Sequence, residues 1–367
     1  MRNGLIKKDE IMEKKLVFVT RNMLAGGAER VIAQLVNYFS NEKINCIIIT
    51  INDSDIFYEL DPRVEVKSIG EKSKNKILDR ILRYAKLRNI IMKIQPDAVL
   101  AMPEEIAVYV LLGMLGTRIP VFVSERNNPW LMPDKKITRI LRKLMYPFAT
   151  GFIFQTEMAK SFFSKKIQQR GTVICNPVEL SRIPDQFQGD RLKVIVSAGR
   201  LEKQKNFEML IKAFSIFIKG HPDYILRIYG EGTMRDTLQN QILDLGLFDK
   251  VELPGRKSNL LELMNPCSMF VLPSNYEGMP NVLLEAMCMG MPVISTDCPS
   301  GGPREVINND VNGLLINVGD INGLVQAMIK MTDIDFSNSL ANEAYLLRNE
   351  LGNKKIFESW KNYIFKE

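Results

Sequence analysis

Two glutamates, Glu277 and Glu285, stand on either side of the loop Gly278-Met279-Pro280-Asn281, where an apolar helix-forming run begins. Gly278 and Pro280 punctuate a tight turn. A helix starting near Asn281 presents backbone N–H groups and a partial positive charge, a setting suited to phosphate or sugar oxygens. Were both glutamates helical, their backbones would lie ~12 Å apart, against ~5 Å for the paired carboxylates of a retaining glycosidase. Two separate tasks along one ligand fit better, because carboxylates accept hydrogen bonds from vicinal hydroxyls such as those of a sugar ring and a ribose. A second cluster, Gly199-Arg200-Leu201-Glu202-Lys203-Gln204-Lys205-Asn206, holds two cations at the end of an apolar run. Arg200 and Lys205 aimed at a pyrophosphate leaving group would stabilise the charge that develops as its bond to a sugar breaks. A third, Gly26-Gly27-Ala28-Glu29-Arg30, lets backbone approach a ligand closely, but it is neither a GxGxxG fingerprint nor a P-loop. Each charge on its own fits a solvated loop equally well; their recurrence at strand ends is what carries weight.

The elements that must hold these residues alternate. Short apolar runs at 16–20, 46–51, 98–101, 121–124, 151–155 and 172–175 read as strands, with helical patterns at 28–39, 76–94 and 137–145 between them. After a polar, turn-rich stretch the pattern restarts. Strands are expected at 193–198, 224–229, 251–253, 269–272, 293–296 and 313–316, and helices at 207–219, 234–245, 260–264 and 281–289. Such alternation implies α/β architecture: two Rossmann-like doubly wound parallel-sheet domains facing each other across a cleft, with ligands at the strand C-termini. The expected division is an N-terminal acceptor domain over 12–180, a linker at 181–191 and a C-terminal nucleotide-sugar domain over 192–345. A C-terminal helix in 346–367, its pattern beginning near residue 342, would cross back to the first domain.

Bulk properties narrow the field. At 367 residues, 46% hydrophobic and 25% charged, the chain suits a globular protein with more than one core. No apolar run reaches the ~18–20 residues of a spanning helix, and the first residues lack the apolar centre of a signal peptide, so a cytoplasmic location is expected. The five cysteines have no metal-ligand or redox spacing and read as buried reduced thiols. The single histidine, His221, reads as a surface loop residue and leaves no multi-histidine metal site.

The motifs together resemble the GT-B glycosyltransferases of family 4, from about Leu16 to the C-terminus. The most specific part is Glu277 to Glu285 continuing into Cys288-Met289-Gly290-Met291-Pro292, followed by Gly199-Arg200…Lys205-Asn206. Gly26-Gly27-Ala28-Glu29-Arg30 and Asp297-Cys298-Pro299-Ser300-Gly301-Gly302-Pro303-Arg304-Glu305 look like the branch that builds bacterial exopolysaccharide and lipid-linked oligosaccharide. The resemblance implies a retaining transferase that moves a hexose or N-acetylhexosamine from a nucleotide-diphosphate sugar, by family habit UDP, to a polyprenyl-diphosphate-linked glycan. It also implies the roles. Arg200 and Lys205 bind the donor diphosphate, Glu285 the ribose, and Glu277 the transferred sugar, assisted by Gly278, Pro280 and the backbone N–H groups of Met279 and Asn281. Arg256 and Lys257 edge the base, and Gly26 and Gly27 let acceptor and phosphate meet. Front-face attack, with the departing phosphate taking the acceptor proton, needs no dedicated nucleophile, and cations replace a metal, so no cofactor is expected. One departure is Ser124-Glu125-Arg126, where many relatives carry a histidine after the Ser-Glu pair. Arg126 either supplies the polar contact or, the favoured reading, answers a phosphate on the acceptor.

Residues 1–180 hold 29 Lys and Arg against 19 Asp and Glu, the remainder 20 against 23. The runs 76–88 and 135–145 are basic and amphipathic, so an anionic membrane surface is an expected peripheral partner, met by Arg80, Arg83, Arg139 and Arg142. No aromatic-interleaved basic stretch points to nucleic acid. The rival readings are a GT-B sugar-nucleotide epimerase, against which the paired glutamates argue, and a non-catalytic GT-B subunit, which would tend to lose the glutamates and the Arg/Lys clamp.

Overall fold

A computed structural model describes residues 14–53, 55–71 and 74–366. Contacts group the chain into two compact units: one runs to Ser124 and resumes over Pro133–Phe152, the other comprises Glu125–Met132 and everything from Ile153 onward. The domain start read at residue 12 lies outside the described residues.

Strands and helices alternate from the outset: β1 (Lys15–Thr20), α1 (Gly27–Asn41), β2 (Asn45–Thr50), β3 (Glu65–Ser68), α2 (Lys76–Ile94), β4 (Ala98–Ala101), α3 (Glu104–Met114), β5 (Val121–Ser124), α4 (Lys136–Met145), β6 (Gly151–Phe154), α5 (Glu157–Ser161), α6 (Lys165–Gln168) and β7 (Gly171–Val173). Among the described residues the strands form one seven-stranded sheet in the order β3-β2-β1-β4-β5-β6-β7, and β1 to β5 pair in parallel. Leu16, Val17, Phe18 and Val19 have no exposed surface, as a strand covered on both faces requires. Strand order reverses between β1 and β4, which opens a crevice at their C-terminal ends. Gly26 and Gly27 follow β1 there, and an ion pair of Arg21 with Glu105 spans the reversal. β3 is missing from the sequence reading because Glu-Val-Lys-Ser is short and only half-buried.

The second sheet is built from β8 (Leu192–Ala198), β9 (Ile225–Tyr229), β10 (Val251–Gly255), β11 (Cys267–Leu272), β12 (Val293–Thr296) and β13 (Leu314–Ile316), all paired in parallel in the order β10-β9-β8-β11-β12-β13. The helices α7 (Phe207–Phe217), α8 (Arg235–Asp244), α9 (Leu260–Met264), α10 (Asn281–Cys288), α11 (Gly302–Val306), α12 (Ile321–Lys330) and α13 (Ile334–Tyr345) accompany it. Alternate strand residues feed two cores. Ile195, Met269 and Val271 join Phe207, Phe214, Leu238 and Met328 in one layer. Val194, Val196, Phe270 and Leu272 join Met264, Leu283, Met287 and Ala344 in the other. Order reverses here between β8 and β11, so the loops after these two strands share the crevice of this sheet.

Residues 181–191 fall within the second unit. Arg191 donates to the carbonyls of Asn265 (2.6 Å) and Gly290 (2.7 Å), and Gln186 to Asn342 (2.8 Å). The helix expected at the C-terminus is three segments: α13, capped by Asp333, then α14 (Arg348–Leu351) and α15 (Asn353–Phe365), broken where Gly352 turns to extended backbone. In α15 Trp360 is fully buried, and the Tyr363 hydroxyl donates to the Arg170 carbonyl.

Candidate functional site

The loops after β8 and β11 meet. Lys205 donates from Nζ to Glu277 Oε1 at 2.6 Å, with side chains only 14% and 8% exposed. The Ser274 hydroxyl donates to the same oxygen at 2.6 Å. Backbone and side-chain bonds lock the two loops in register. Asn275 N donates to Gln204 O (2.8 Å), Gln204 Nε2 to Tyr276 O (2.9 Å), and Asn275 Nδ2 to Lys203 O (2.8 Å). Asn206 takes the left-handed conformation and donates to Asn275 Oδ1 at 3.1 Å, turning the chain from the cationic loop into α7. A buried carboxylate is tolerated here because an ammonium and a hydroxyl share its charge.

Arg200, also after β8, is exposed. Its neighbour Glu202 accepts from the Thr233 hydroxyl (2.8 Å) and N–H (3.2 Å). These hydrogen bonds, with the Arg200 charge adding to them, hold the Glu202 carboxyl below its ordinary range. Cations of two kinds therefore border the crevice, one buried against a carboxylate and one at the rim.

The segment 277–281 is packed by backbone. Glu277 N donates to Pro299 O (2.9 Å), and the Ser300 N–H and hydroxyl both donate to Glu277 O at 3.0 Å. A Cβ at Gly302 would lie 1.8 Å from Gly278 O, and one at Gly278 would lie 2.4 Å from Arg126 O, so both positions exclude any side chain. Pro280 is the N-cap of α10 and offers no side-chain hydrogen bond. Asn281 opens that helix, and Glu285 lies one turn further, buried.

Three other side chains converge on this loop. Asn176, buried, donates from Nδ2 to Met279 O (3.0 Å) and Asn281 Oδ1 (2.6 Å). It accepts at Oδ1 from Gln155 Nε2 (2.8 Å) and from Arg126. Gln155 in turn accepts from Met279 N at 3.2 Å. The Met279 N–H expected to assist the transferred sugar is thus engaged by Gln155 here. The Arg126 guanidinium also sits over the Trp360 ring at 5.9 Å. Sequence reasoning missed Gln155, Asn176, Gln204 and Ser274; the only hint was that Asn176 precedes a proline at a turn.

Arg256 and Lys257 follow β10, exposed. Three strand spacings separate β10 from β11, about 14 Å, so this pair stands well away from the Lys205–Glu277 pair along the strand ends. In the first unit, Gly26 stands in extended backbone as the N-cap of α1, and Gly27 begins that helix. The Tyr58 hydroxyl braces the turn, donating to Gly26 O (2.8 Å) and accepting from Gly26 N (3.2 Å).

No three His, Cys, Asp or Glu side chains among the described residues are grouped to hold a metal ion. His221 stacks on Phe217 with ring centroids 4.5 Å apart. Burial pushes the thiols of Cys46, Cys288 and Cys298 up to about 12 and those of Cys175 and Cys267 up to about 11, which leaves none a poised nucleophile.

A family model described as "Glycosyl transferases group 1" matches residues 182–346, and one described as "Glycosyltransferase Family 4" matches residues 25–182. The N-acetylgalactosamine-N,N'-diacetylbacillosaminyl-diphospho-undecaprenol 4-alpha-N-acetylgalactosaminyltransferase of Campylobacter jejuni is 30% identical over 347 residues, covering 88% of this chain and 91% of that protein. A second transferase of Campylobacter jejuni, which adds N-acetyl-D-galactosamine in alpha-1,4 linkage to GalNAc-alpha-(1->4)-GalNAc-alpha-(1->3)-diNAcBac-PP-undecaprenol, is 26% identical over 358 residues, 95% of this chain and 98% of that protein. The crystal structure of Anabaena Alr3699/HepE in complex with UDP superposes with a TM-score of 0.81 at 19% identity, covering 96% of this chain and 100% of that one. With two parallel sheets of this order, both halves matched by family models and a 30% identical relative along nearly its whole length, the chain belongs to the family 4 glycosyltransferases and has their two-domain GT-B fold.

Proposed function

We propose that this glycosyltransferase moves a hexose or N-acetylhexosamine, with retention, from a UDP-sugar to a polyprenyl-diphosphate-linked glycan in surface polysaccharide assembly. The observation that carries the reading is the buried Lys205–Glu277 pair set at the reversal point of the second sheet, between Arg200 and the start of α10. Cations and carboxylates held together at a sheet's ligand end suit a molecule with a diphosphate at one part and hydroxyls at others. The names of the two Campylobacter relatives support the acceptor class, and the UDP held by the Anabaena protein supports the nucleotide.

On this reading Lys205 and Arg200 take the diphosphate oxygens, Glu285 the ribose hydroxyls, and Glu277 with 278–281 the transferred sugar. Arg256 and Lys257 border the base, and Gly26 and Gly27 leave room for the acceptor's phosphate at the start of α1. The bond from the anomeric carbon to the diphosphate oxygen breaks and that to the acceptor oxygen forms on the same face. The acceptor proton passes to the departing diphosphate. The residue cations stabilise that leaving group, so the step is expected to run without a metal.

The first unit supplies a face for a lipid-borne acceptor. On α4 and the turn after it, Ile137, Ile140, Leu144 and Phe148 are each more than half exposed, flanked by exposed Lys135, Lys136 and Lys143. Leu78, Ile81 and Leu82 are exposed on α2, and α3 touches both helices. Three of the four arginines read as lipid-facing are turned to the protein instead. Arg83 pairs with Asp79 at 2.7 Å, Arg139 donates to Pro133 O at 2.7 Å, and Arg142 is buried. The cations offered to anionic lipid are therefore the lysines and Arg80. No helix of the described residues is long and apolar enough to cross a membrane. The docking proposed here is peripheral, on the cytoplasmic face, and rests on the exposed apolar residues and lysines of α4.

The decisive experiment is donor-dependent release of UDP from UDP-glucose, UDP-galactose and their N-acetylamino forms, with and without a bacterial lipid extract. Turnover of one donor, with the anomeric configuration kept in the product, is the expected result. An inverted product overturns retention. Silence across the panel, with no thermal shift by UDP, overturns the activity and points to a non-catalytic subunit.

A further inference from the structure

The loop that opens α10 is held by side chains far from it in sequence. Asn176 is 3% exposed and makes the four hydrogen bonds its amide allows: two donated, to Met279 O and Asn281 Oδ1, and two accepted, from Gln155 and Arg126. The alternative amide orientation would set its NH2 against two donors and its oxygen against two acceptors, so its partners fix the orientation. Gln155 completes the grip by accepting from Met279 N, so the Met279 residue is held at both its N–H and its C=O. Gly278 has no room for a side chain, because a Cβ there would lie 2.3 Å from Gln155 Oε1. Behind this layer the Arg126 guanidinium carbon sits over the ring of Trp360, 5.9 Å from its centroid, and Trp360 is fully buried on α15.

We propose that Asn176, Gln155 and Arg126 are positioning residues that clamp 278–281 in its sugar-contacting shape, with Asn176 as the hub and Trp360 as the wall behind it. This rests on the reading that 277–281 meets the transferred sugar. Arg126 thereby acts on the donor loop from behind rather than on an acceptor phosphate. Losing the Asn176 amide takes a partner from Met279 O, Asn281 Oδ1, Gln155 Nε2 and Arg126, four hydrogen bonds in a buried or part-buried setting. The loop then shifts to find partners, and a displacement of about 1 Å costs on the order of a hundredfold in rate.

The test uses the full chain with Asn176→Ala, Asn176→Asp and Gln155→Ala. Aspartate keeps the Oδ1 that accepts from Arg126 and Gln155, but puts an oxygen in place of the NH2 that donates to Met279 and Asn281. Three quantities are read: hydrogen exchange of a peptide spanning 278–284, UDP affinity by calorimetry, and kcat with the UDP-sugar that the wild type turns over. The clamp predicts faster exchange confined to that peptide, kcat down about a hundredfold in both Asn176 variants, and UDP affinity within about threefold of wild type. Unchanged loop exchange in Asn176→Ala overturns it, as does a near-normal kcat in Asn176→Asp, since that would mean Asn176 only anchors Arg126. A fall in UDP affinity matching that in kcat also overturns it, because general loosening of the pocket would suffice. If Asn176→Ala does not fold, Gln155→Ala answers by the same three measurements. If the wild type turns over no UDP-sugar, the proposed activity fails, while loop exchange still decides the clamp.

Discussion

Replacing Lys205 by methionine keeps most of the unbranched apolar stem and removes the charged end. At 2.6 Å and an effective dielectric of about 20, the attraction it loses is ~6 kcal/mol, much of it offset by the desolvation of both ions. Breaking a buried pair from one side costs about 3–5 kcal/mol, because a charge is left behind. Here Ser274 still donates to the same carboxylate oxygen at 2.6 Å, which brings the expected loss down to about 2–3 kcal/mol. Scanning calorimetry should show the transition falling by about 4–10 °C. Transfer should fall much further, by about 10²–10³-fold, since a cation aimed at the leaving diphosphate is worth about that much in the transition state. The double variant Lys205→Met with Glu277→Gln separates the two effects. With both charges gone the stranded carboxylate disappears and most of the stability returns, but the leaving group still lacks its cation. Donor-dependent UDP release is the assay. Recovery of activity together with stability would refute the reasoning, because Lys205 would then serve only to neutralise Glu277.

Arg200→Ala and Glu285→Ala should each remove most transfer and leave the melting temperature near wild type for the exposed arginine; normal turnover in either removes that residue's role. Gly278→Ala forces a Cβ to 2.3 Å from Gln155 Oε1 and 2.4 Å from Arg126 O, so the loop must move, and a large drop in kcat with the second unit still folded is expected by activity assay and circular dichroism. Anionic vesicles should sediment the wild type but not a variant with Ile137, Ile140, Leu144 and Phe148 changed to serine; equal sedimentation argues against the α4 face. Excess chelator should leave the rate unchanged, and a strict metal requirement would contradict a leaving group stabilised by Arg200 and Lys205.

Local chemistry was enough to locate most elements and to mark the loops that follow β8 and β11. Alternating apolar runs marked the sheets, and β4, α2, α9 and β12 fall where periodicity put them. Glycine and proline at 278 and 280 placed a turn before α10, and the charges at 200, 205, 277 and 285 drew attention together, with their roles implied by the family resemblance. What spacing cannot carry is strand order. Lys205 and Glu277, 72 positions apart, meet only because β8 and β11 are neighbours in the sheet. Gln155 and Asn176 reach Met279 across more than a hundred residues, and neither an uncharged glutamine after a strand nor an asparagine before a proline announces such a contact. The basic helices show the same limit from the other side. Their sequence displays the cations, but tertiary packing decided that Arg83, Arg139 and Arg142 turn inward while Ile137, Ile140, Leu144 and Phe148 face out. Periodicity is a property of neighbours along the chain, whereas burial and pairing are set by which elements pack together, and only the folded chain specifies that.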